Sequence, residues 1–207
     1  MRLSTSLVLH AANLECQDRA DVITRSDATV LVLADGAGGI SGGAQAGDVF
    51  LRAARAAVER LRTAEDCTRL LAQIDQELTR RKDCGETTGI VTVVGGRKIF
   101  GASVGDSAAW LFANDGNGEL TRGQPRKPLL GSGKVRTPRS FEWDIEEGTV
   151  VVASDGLWNY ASLPAIQSRV RSRDSTALAG RLAELARLPS GSFPDDVSII
   201  TCQIALE

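Results

Sequence analysis

Residues 30–47, VLVLADGAGGISGGAQAG, decide the fold of this chain. The apolar run Val30–Ala34 has the length and composition of a buried strand, and it ends directly at Asp35. The glycine-rich turn that follows leaves backbone carbonyls uncovered, because glycine has no Cβ. A strand-end carboxylate beside bare carbonyl oxygens suits a hard divalent cation, which prefers oxygen ligands. Taken alone, the stretch is equally compatible with an ordinary strand-to-helix turn.

The composition around this stretch is that of a globular domain. The 207 residues include 43% hydrophobic and 24% charged residues, enough for one sizeable core, so we expect a single domain over 1–207. A net charge of −2 with scattered basic residues argues against a nucleic-acid partner. No apolar run approaches the ~20 residues that span a bilayer. We therefore expect a cytoplasmic protein with no membrane partner. Four widely spaced cysteines without a CxxC pair indicate neither a zinc site nor a disulfide framework.

Hydrophobic periodicity predicts that strands and helices occur in blocks rather than in alternation. Strands are expected at 3–11, 29–34, 87–94, 98–103, 108–113, 141–145, 149–153 and 197–204. Helices are expected at 45–62, 64–81, 164–170 and 175–188, with Thr63 capping the second and Asp174 or Ser175 the last. Gly95-Gly96 is expected to form a hairpin turn, 114–118 a second turn, and 121–140 a surface loop. Such blocks favour an α+β fold, a four-layer α-β-β-α sandwich of two antiparallel sheets flanked by helix pairs.

Aspartates follow or precede several of the predicted strands. They are Asp18, Asp35, Asp106, Asp155 and the pair Asp195-Asp196. A single aspartate at a strand end is usually a turn residue. If these strand ends converge, however, the carboxylates would repel one another unless cations neutralise them. An all-oxygen ligand set without histidine or cysteine favours magnesium or manganese over zinc.

In order along the chain, six stretches resemble motifs of the metal-dependent type-2C serine/threonine protein phosphatases, especially the bacterial branch. CQD at 16–18 is similar to the family's first N-x-D motif, and DGAGGISGGAQAG at 35–47 to its DGxGG segment. GETTG at 85–89 and VGDSAAWLF at 104–112 resemble its GST strand and its GDSR hairpin. VVASDGLWNYA at 151–161 and DDVSII at 195–200 resemble its SDG and DN-x-T segments.

The resemblance implies a set of site residues and an activity. Asp35 would bridge two cations, Mn²⁺ or Mg²⁺, and Gly36 would offer its carbonyl. Asp155 and Asp195 would bind the second cation, Asp18 would support the cluster, and Asp106 would belong to a third, weaker position. Asp18, Asp35, Asp155 and Asp195 would thus be the catalytic residues of an enzyme that hydrolyses phosphoserine or phosphothreonine with metal-activated water. A phosphorylated protein would be its substrate, and a serine/threonine kinase a further partner.

Several positions depart from the family pattern. Asn13 stands where an arginine usually holds the substrate phosphate, and an amide does not replace a bidentate guanidinium. Phosphate affinity should therefore fall, or another cation such as Arg19 or Arg25 must substitute for the arginine. The GDSR arginine is Ala108, and the DN-x-T asparagine is Asp196. Residues 121–140 are expected to form only a reduced flap. The basic residues of 122–139 suit a solvated loop, or a surface that guides an acidic or phosphorylated partner.

Two alternative functions remain open, and a third is set aside. A catalytically weak, phosphatase-like regulator would explain Asn13, and a small-molecule phosphatase would suit an open site. The windows 39–43 and 101–105 match G-x-S-x-G, the motif of serine hydrolases. That triad needs a histidine after its serine, whereas the lone histidine, His10, precedes both windows.

Overall fold

The computed structural model of the chain describes residues 1–37, 42–114, 116–172 and 177–205. Its ten strands within these ranges are β1 Arg2–His10, β2 Arg19–Thr24, β3 Thr29–Ala34, β4 Gly89–Gly95, β5 Lys98–Val104, β6 Ala108–Ala113, β7 Gly116–Glu119, β8 Arg139–Asp144, β9 Gly148–Ala153 and β10 Val197–Ala205. The α-helices in the same ranges are α1 Gly43–Ala57, α2 Ala64–Thr79, α3 Asp155–Trp158, α4 Leu163–Val170 and α5 Leu178–Ala183.

The strands form two antiparallel five-stranded sheets. The first has the order β1-β10-β9-β6-β7, and the second has the order β2-β3-β4-β5-β8. The last strand of the chain therefore lies between β1 and β9 in the first sheet. This arrangement confirms the predicted α+β sandwich of two antiparallel sheets.

The alternation of side chains along β3 explains why its sequence is apolar throughout. Val30 and Val32 pack with residues of α1 and α2, including Phe50, on the outer face of the second sheet. Leu31 and Leu33 point the other way, into the apolar layer between the two sheets. Since both faces of β3 are covered, no position can be polar at low cost. A third apolar cluster joins α4 and α5 to the outer face of the first sheet.

The start of α2 follows the predicted cap. Thr63 Oγ1 accepts a hydrogen bond from the Asp66 backbone N–H at 3.2 Å, and Asp66 Oδ2 accepts one from the Thr63 N–H at 2.9 Å. This reciprocal pair satisfies two amides that have no partner within the helix. The first two predicted helices are therefore found, although the first ends at Ala57 and a 3₁₀ turn, Val58–Arg60, follows.

Two predicted turns differ in the structure. The hairpin between β4 and β5 turns at Gly96-Arg97, one residue later than expected, because Gly95 pairs with Lys98. Both loop residues have positive φ, 58° and 66°, as a two-residue turn of this hand requires. Residues 116–118 of the turn expected at 114–118 instead belong to β7, Gly116–Glu119, beside β6.

The last predicted helix, 175–188, is shorter in the structure. The described helix is α5, Leu178–Ala183, and the expected cap at 174 or 175 lies outside the described residues. The four cysteines are free thiols, and Cys67 and Cys202 are buried in the core. Within the described ranges, no helix is long and apolar enough to cross a membrane.

Candidate active site

Strand register in the second sheet brings three of the predicted aspartates to one end of the sandwich. Arg19 pairs with Ala34, so Asp18, just before β2, and Asp35, just after β3, leave adjacent strand ends. The end of β5 pairs with the start of β4, which is itself beside the end of β3. Asp106, two residues beyond β5, therefore lies at the same end of the sheet.

The first sheet contributes its aspartates to the same place. Ala153, at the end of β9, pairs with Ile199 near the start of β10. Asp155 follows the one strand end, and Asp195 precedes the other. The two sheets thus deliver carboxylates from opposite sides into a single cleft.

That cleft is a cavity of about 370 Å³. All the site residues predicted from the sequence line it, together with several others that sequence reasoning had not assigned. The lining residues are Asn13, Glu15, Gln17, Asp18, Asp35, Gly36, Ala37, Thr88, Asp106, Lys127, Leu129, Asp155, Asp195 and Asp196.

The backbone of Asp35 is held by two threonines of the GETTG stretch. Thr88 N–H donates to the Asp35 carbonyl at 2.8 Å, and Thr87 Oγ1 donates to the same oxygen at 2.9 Å. The Asp35 N–H donates in turn to Thr88 Oγ1 at 3.0 Å. Gly36 follows where no side chain fits, since a Cβ there would lie 2.7 Å from the Gly43 carbonyl carbon. The main chain at Asp35, from which the carboxylate extends, is therefore held in place.

The carboxylates impose a large electrostatic cost on one another. Burial raises the pKa of Asp35 well above its usual value, and the charges of Asp18, Asp155, Asp106 and Asp195 raise it further. Burial also raises the pKa of Asp155, with the charges of Asp106 and Asp195 as further causes. Without a cation these groups compete for protons, because like charges in a desolvated cleft cannot all remain ionised.

Asp18 is the most buried member of the cluster. Its side chain is 1% exposed, and neither carboxylate oxygen has a hydrogen-bond partner among the described residues. Burial raises its pKa to about 6, the hydroxyls of Ser198 and Ser154 nearby offset part of the shift, and the charge of Asp196 adds to it. A buried carboxylate without a partner is costly, so these oxygens are suited to ligating a cation or to orienting water that does so.

Asp155 begins the short helix α3, and its neighbours orient it. Asn159 Nδ2 donates to Asp155 Oδ2 at 2.9 Å. Gly156 is required beside it, since a Cβ there would lie 2.0 Å from the Asp196 carbonyl oxygen. The guanidinium of Arg126 contacts Asp106 at 2.8 Å and lies 3.9 Å from Asp155.

Asp195 and Asp196 have different surroundings. Asp195 is exposed at the cavity edge, and its Oδ1 accepts only the N–H of Asp196, at 2.9 Å. Asp196 instead binds the loop before β2. Its Oδ1 accepts the Ala12 N–H at 2.8 Å, and its Oδ2 accepts the Gln17 N–H at 2.6 Å. Asp196 therefore holds the loop that carries Asn13.

The protein phosphatase 2C family model matches residues 10–185 of this sequence. That range includes all of the cavity aspartates except Asp195 and Asp196. The chain belongs to the protein phosphatase 2C family. By family and fold it is a serine/threonine phosphatase, and phosphatases of this family act on phosphoproteins and depend on metals. Among the curated proteins, none matches this sequence.

Solved bacterial phosphatases share the fold over nearly their whole length. The serine/threonine phosphatase of S. agalactiae superimposes with a TM-score of 0.83 at 17% identity, covering 98% of this chain and 100% of that one. Stp1 from Staphylococcus aureus gives 0.81 at 17% identity, covering 100% and 96%. The phosphatase PstP/Ppp of Mycobacterium tuberculosis gives 0.77 at 19% identity, covering 99% of each chain.

The cavity of this phosphatase fits a hard divalent cation in its chemistry, although not as a ready-made cage. Within the described residues, no group of three or more His, Cys, Asp or Glu side chains could hold a metal ion as it stands. Magnesium retains several waters and needs only one or two carboxylates, so such a cage is not required. The donors around the cavity are all oxygens, and the unpartnered carboxylate of Asp18 matches this need.

The arginines proposed to replace the missing one do not point into the cavity. Arg19 Nε donates to Asp48 at 2.5 Å, and its NH1 donates to the Cys16 and Asp18 carbonyls. Arg25 is buried between Asp27 and the main chain at the end of α1. Neither is among the described cavity-lining residues, so the structure gives neither of them a place beside the substrate phosphate.

Sequence reasoning missed two kinds of residue in this phosphatase. Asp196 was noted only as a departure from the family pattern, although its two carboxylate oxygens hold two backbone amides. Arg126 and Lys127 were assigned to a surface loop. The only signal for them was their position in a basic stretch after the GDS turn, which is also typical of solvated loops.

Proposed function

We propose that this phosphatase hydrolyses phosphoserine and phosphothreonine in proteins, with two Mn²⁺ or Mg²⁺ ions and with Asp106 serving a third, weaker position. The observation that carries the proposal is the buried, unpartnered carboxylate of Asp18 within a cleft of converging aspartates. Asp35, Asp155 and Asp195, with the Gly36 carbonyl, would hold the ions, and Asp18 would support them. When bound, such ions lower the pKa of water and neutralise phosphoryl oxygens.

The other lining residues favour water as the nucleophile. The described lining contains no serine, cysteine or histidine, and its single hydroxyl belongs to Thr88. That hydroxyl is already hydrogen-bonded to the Asp35 N–H and to Ser107 Oγ. The ring of His10 stacks on Phe193, with centroids 4.6 Å apart, which is a packing role. A serine-hydrolase mechanism therefore has no support in the cavity.

We further propose that residues 1–207 act as one catalytic domain with a reduced flap. No helix or strand occupies residues 121–138, so this segment covers the cavity only with loop structure. A partner kinase that phosphorylates the same substrates remains part of the proposal. It rests on the reaction class, because a phosphoprotein phosphatase needs an enzyme that makes its substrate.

The test is metal-dependent turnover of a phosphothreonine peptide and of an aryl phosphate. We expect hydrolysis with Mn²⁺, complete loss in excess EDTA and recovery when Mn²⁺ is restored. Asp155→Asn should lower kcat by several orders of magnitude, because it removes a charged ligand. The matched control is Asp144→Asn, which removes a carboxylate on the exposed end of β8 and should leave turnover unchanged. Full hydrolysis in EDTA would contradict the proposal.

A regulatory role is the second candidate, and Asn13 is the observation that favours it. Asn13 lies on the cavity edge without a charge. If Mn²⁺ binds with a calorimetric signal but neither substrate is hydrolysed, the protein is a regulator. Turnover of the aryl phosphate without turnover of the peptide would instead indicate a small-molecule phosphatase.

A further inference from the structure

The charge balance of the cavity poses a problem for an anionic substrate. The described lining carries seven carboxylates and a single cation, Lys127. The carboxylates are Glu15, Asp18, Asp35, Asp106, Asp155, Asp195 and Asp196. Metal ions offset part of this charge, but a phosphoryl group that approaches the mouth still needs donors of its own. The side chain of Asn13 can offer only an uncharged donor.

Arg126 does not itself line the cavity, but its guanidinium contacts Asp106, which does. Its Nε donates to Asp106 Oδ2 at 2.8 Å, and one terminal nitrogen lies 3.9 Å from Asp155 Oδ2. The Arg126 side chain is 75% exposed, so these are solvent-screened contacts of small individual strength. Unlike Arg19 and Arg25, Arg126 donates to no backbone carbonyl among the described residues. It can therefore exchange its partner for another anion.

The backbone next to Arg126 is fixed relative to the carboxylates. Leu130 exchanges two hydrogen bonds with Thr87, each 3.0 Å long, and Thr87 also holds the Asp35 carbonyl. Asp75 Oδ1 accepts the N–H groups of Gly131 and Gly133 at 2.8 and 3.2 Å. The Leu130 side chain is fully buried. Residues 126–127 thus lie on a loop whose following residues are anchored to the same threonine that positions the cluster.

Lys127 is the companion cation. It lines the cavity and makes no ion pair with the described residues. A lysine acts as a mobile point charge, whereas an arginine can pair with two phosphoryl oxygens at once. Adjacent in sequence, the two residues offer both kinds of donor from one loop.

We propose that Arg126 and Lys127 are the phosphate-binding residues of this phosphatase and that they take the place of an arginine at position 13. The inference rests on the proposed function. Divalent cations on Asp106 and Asp155 would neutralise the present partners of the Arg126 guanidinium. The best remaining anion is then the phosphoryl group of the substrate. The ligand class is a phosphate monoester on a serine or threonine side chain.

The experiment measures phosphate binding separately from turnover. Binding of inorganic phosphate to the Mn²⁺-loaded protein is followed by calorimetry, and its inhibition constant and the peptide KM are measured in steady state. The variants are Arg126→Gln, Arg126→Lys and Lys127→Gln. Arg136→Gln and Lys134→Gln are matched controls, since both lie on the same loop, are exposed and, among the described residues, make no ion pair with a cavity carboxylate.

We expect Arg126→Gln to raise the phosphate Kd and the peptide KM about tenfold, the effect of one charge-assisted hydrogen bond. Arg126→Lys should recover part of this loss, and Lys127→Gln should have a smaller effect of the same sign. The two controls should bind phosphate as the wild type does. The wild-type Kd should also weaken more steeply with salt than that of Arg126→Gln.

Two results would overturn the inference. One is an unchanged phosphate Kd in both Arg126→Gln and Lys127→Gln while the wild type turns over normally. The other is tighter Mn²⁺ binding as the sole effect of Arg126→Gln, which would make Arg126 only a counter-ion of the cluster. A wild type that binds phosphate through Arg126 but hydrolyses nothing would instead refute the proposed function and leave this inference standing.

Discussion

At the scale of single residues, Asp196 shows how one carboxylate can organise a site without binding the reactant. Its two oxygens accept the N–H groups of Ala12 and Gln17, so both ends of the loop with Asn13 are fixed to the start of β10. An asparagine has only one acceptor and would direct its NH₂ group at an N–H donor. Aspartate is therefore the better residue here, although the related motif has asparagine.

We expect Asp196→Asn to destabilise the metal-free protein by about 1 kcal/mol, because one half-buried backbone N–H loses its acceptor. Relief of repulsion with Asp18 should offset only part of this loss. Urea denaturation in EDTA measures the change. Asp195→Asn is the matched control, because Asp195 accepts a single N–H that an amide oxygen can still accept. Equal stabilities for the two variants would show that Asp196 does not hold the loop.

Asn13 allows the opposite experiment, in which a charge is added. Since Asn13 is exposed on the cavity edge, an arginine there can extend toward a bound phosphate. We expect Asn13→Arg to lower KM about tenfold and to change kcat little, because the added pair acts in ground and transition states alike. Steady-state kinetics on the phosphothreonine peptide measures both constants. An unchanged KM would mean that residue 13 does not reach the substrate.

At the scale of secondary-structure elements, α2 depends on its cap. Thr63→Ala should cost about 1 kcal/mol of unfolding free energy, because the Asp66 N–H loses its acceptor. Thr63→Ser should retain most of the stability that the cap contributes. Thr68→Ala is a matched control within the helix, where alanine is the better helix former and the change should be near neutral. Chemical denaturation of the wild type and the three variants measures these differences in unfolding free energy. Equal losses at 63 and 68 would refute the capping role.

The elements that sequence could predict are those with a local cause. The buried strand β3 and the cap at Thr63 follow from composition and spacing alone. The turn at Gly96-Arg97 was misplaced by one residue, because two adjacent glycines can both adopt positive φ. Strand β7 was missed because its residues, GNGE, favour turns, and only pairing with β6 makes them extended. Tertiary contacts decide such segments.

The aspartates of the site could likewise be predicted from the sequence, but not Arg126. Strand-end aspartates are visible in the sequence, and the structure places Asp18, Asp35, Asp106, Asp155 and Asp195 around one cavity. Their roles as ligands stay a prediction. The position of Arg126 could not be inferred, because the loop that carries it is set by the distant contacts of Leu130 and Asp75 rather than by its own residues.

At the scale of the whole molecule, the carboxylate cluster makes stability depend on pH. Burial raises the folded-state pKa of Asp18 to about 6, above the usual aspartate pKa of about 3.9, so the native state binds more protons than the unfolded chain between these values. The metal-free protein should therefore lose about 3 kcal/mol from this group as pH rises through that window. Asp35 and Asp155 shift in the same direction and add to the loss.

Surface carboxylates limit the stability of the protein at low pH. Hydrogen bonds from Arg25 lower the pKa of Asp27, and hydrogen bonds from Arg81 lower that of Asp83. Their contribution is lost as pH falls below about 4. In EDTA we expect maximal stability at mildly acidic pH, measured by urea denaturation, and a flatter profile for Asp18→Asn. With Mn²⁺ the trend above pH 5 should reverse, since metal binding requires deprotonated ligands. The absence of any pH effect in EDTA would contradict this account.

The central place of β10 in its sheet has a consequence for how the chain acquires its activity during synthesis. All strands of the second sheet lie within residues 19–144, so this sheet can form while the ribosome is still translating the residues that follow. Strand β1, made first, has no neighbour in its own sheet until residues 197–205 emerge, because it pairs there only with β10. Such long-range pairing is slow compared with local contacts. Asp195 and the loop anchored by Asp196 therefore join the cleft after the aspartates of the second sheet, and we expect a nascent chain to gain activity only once β10 has docked.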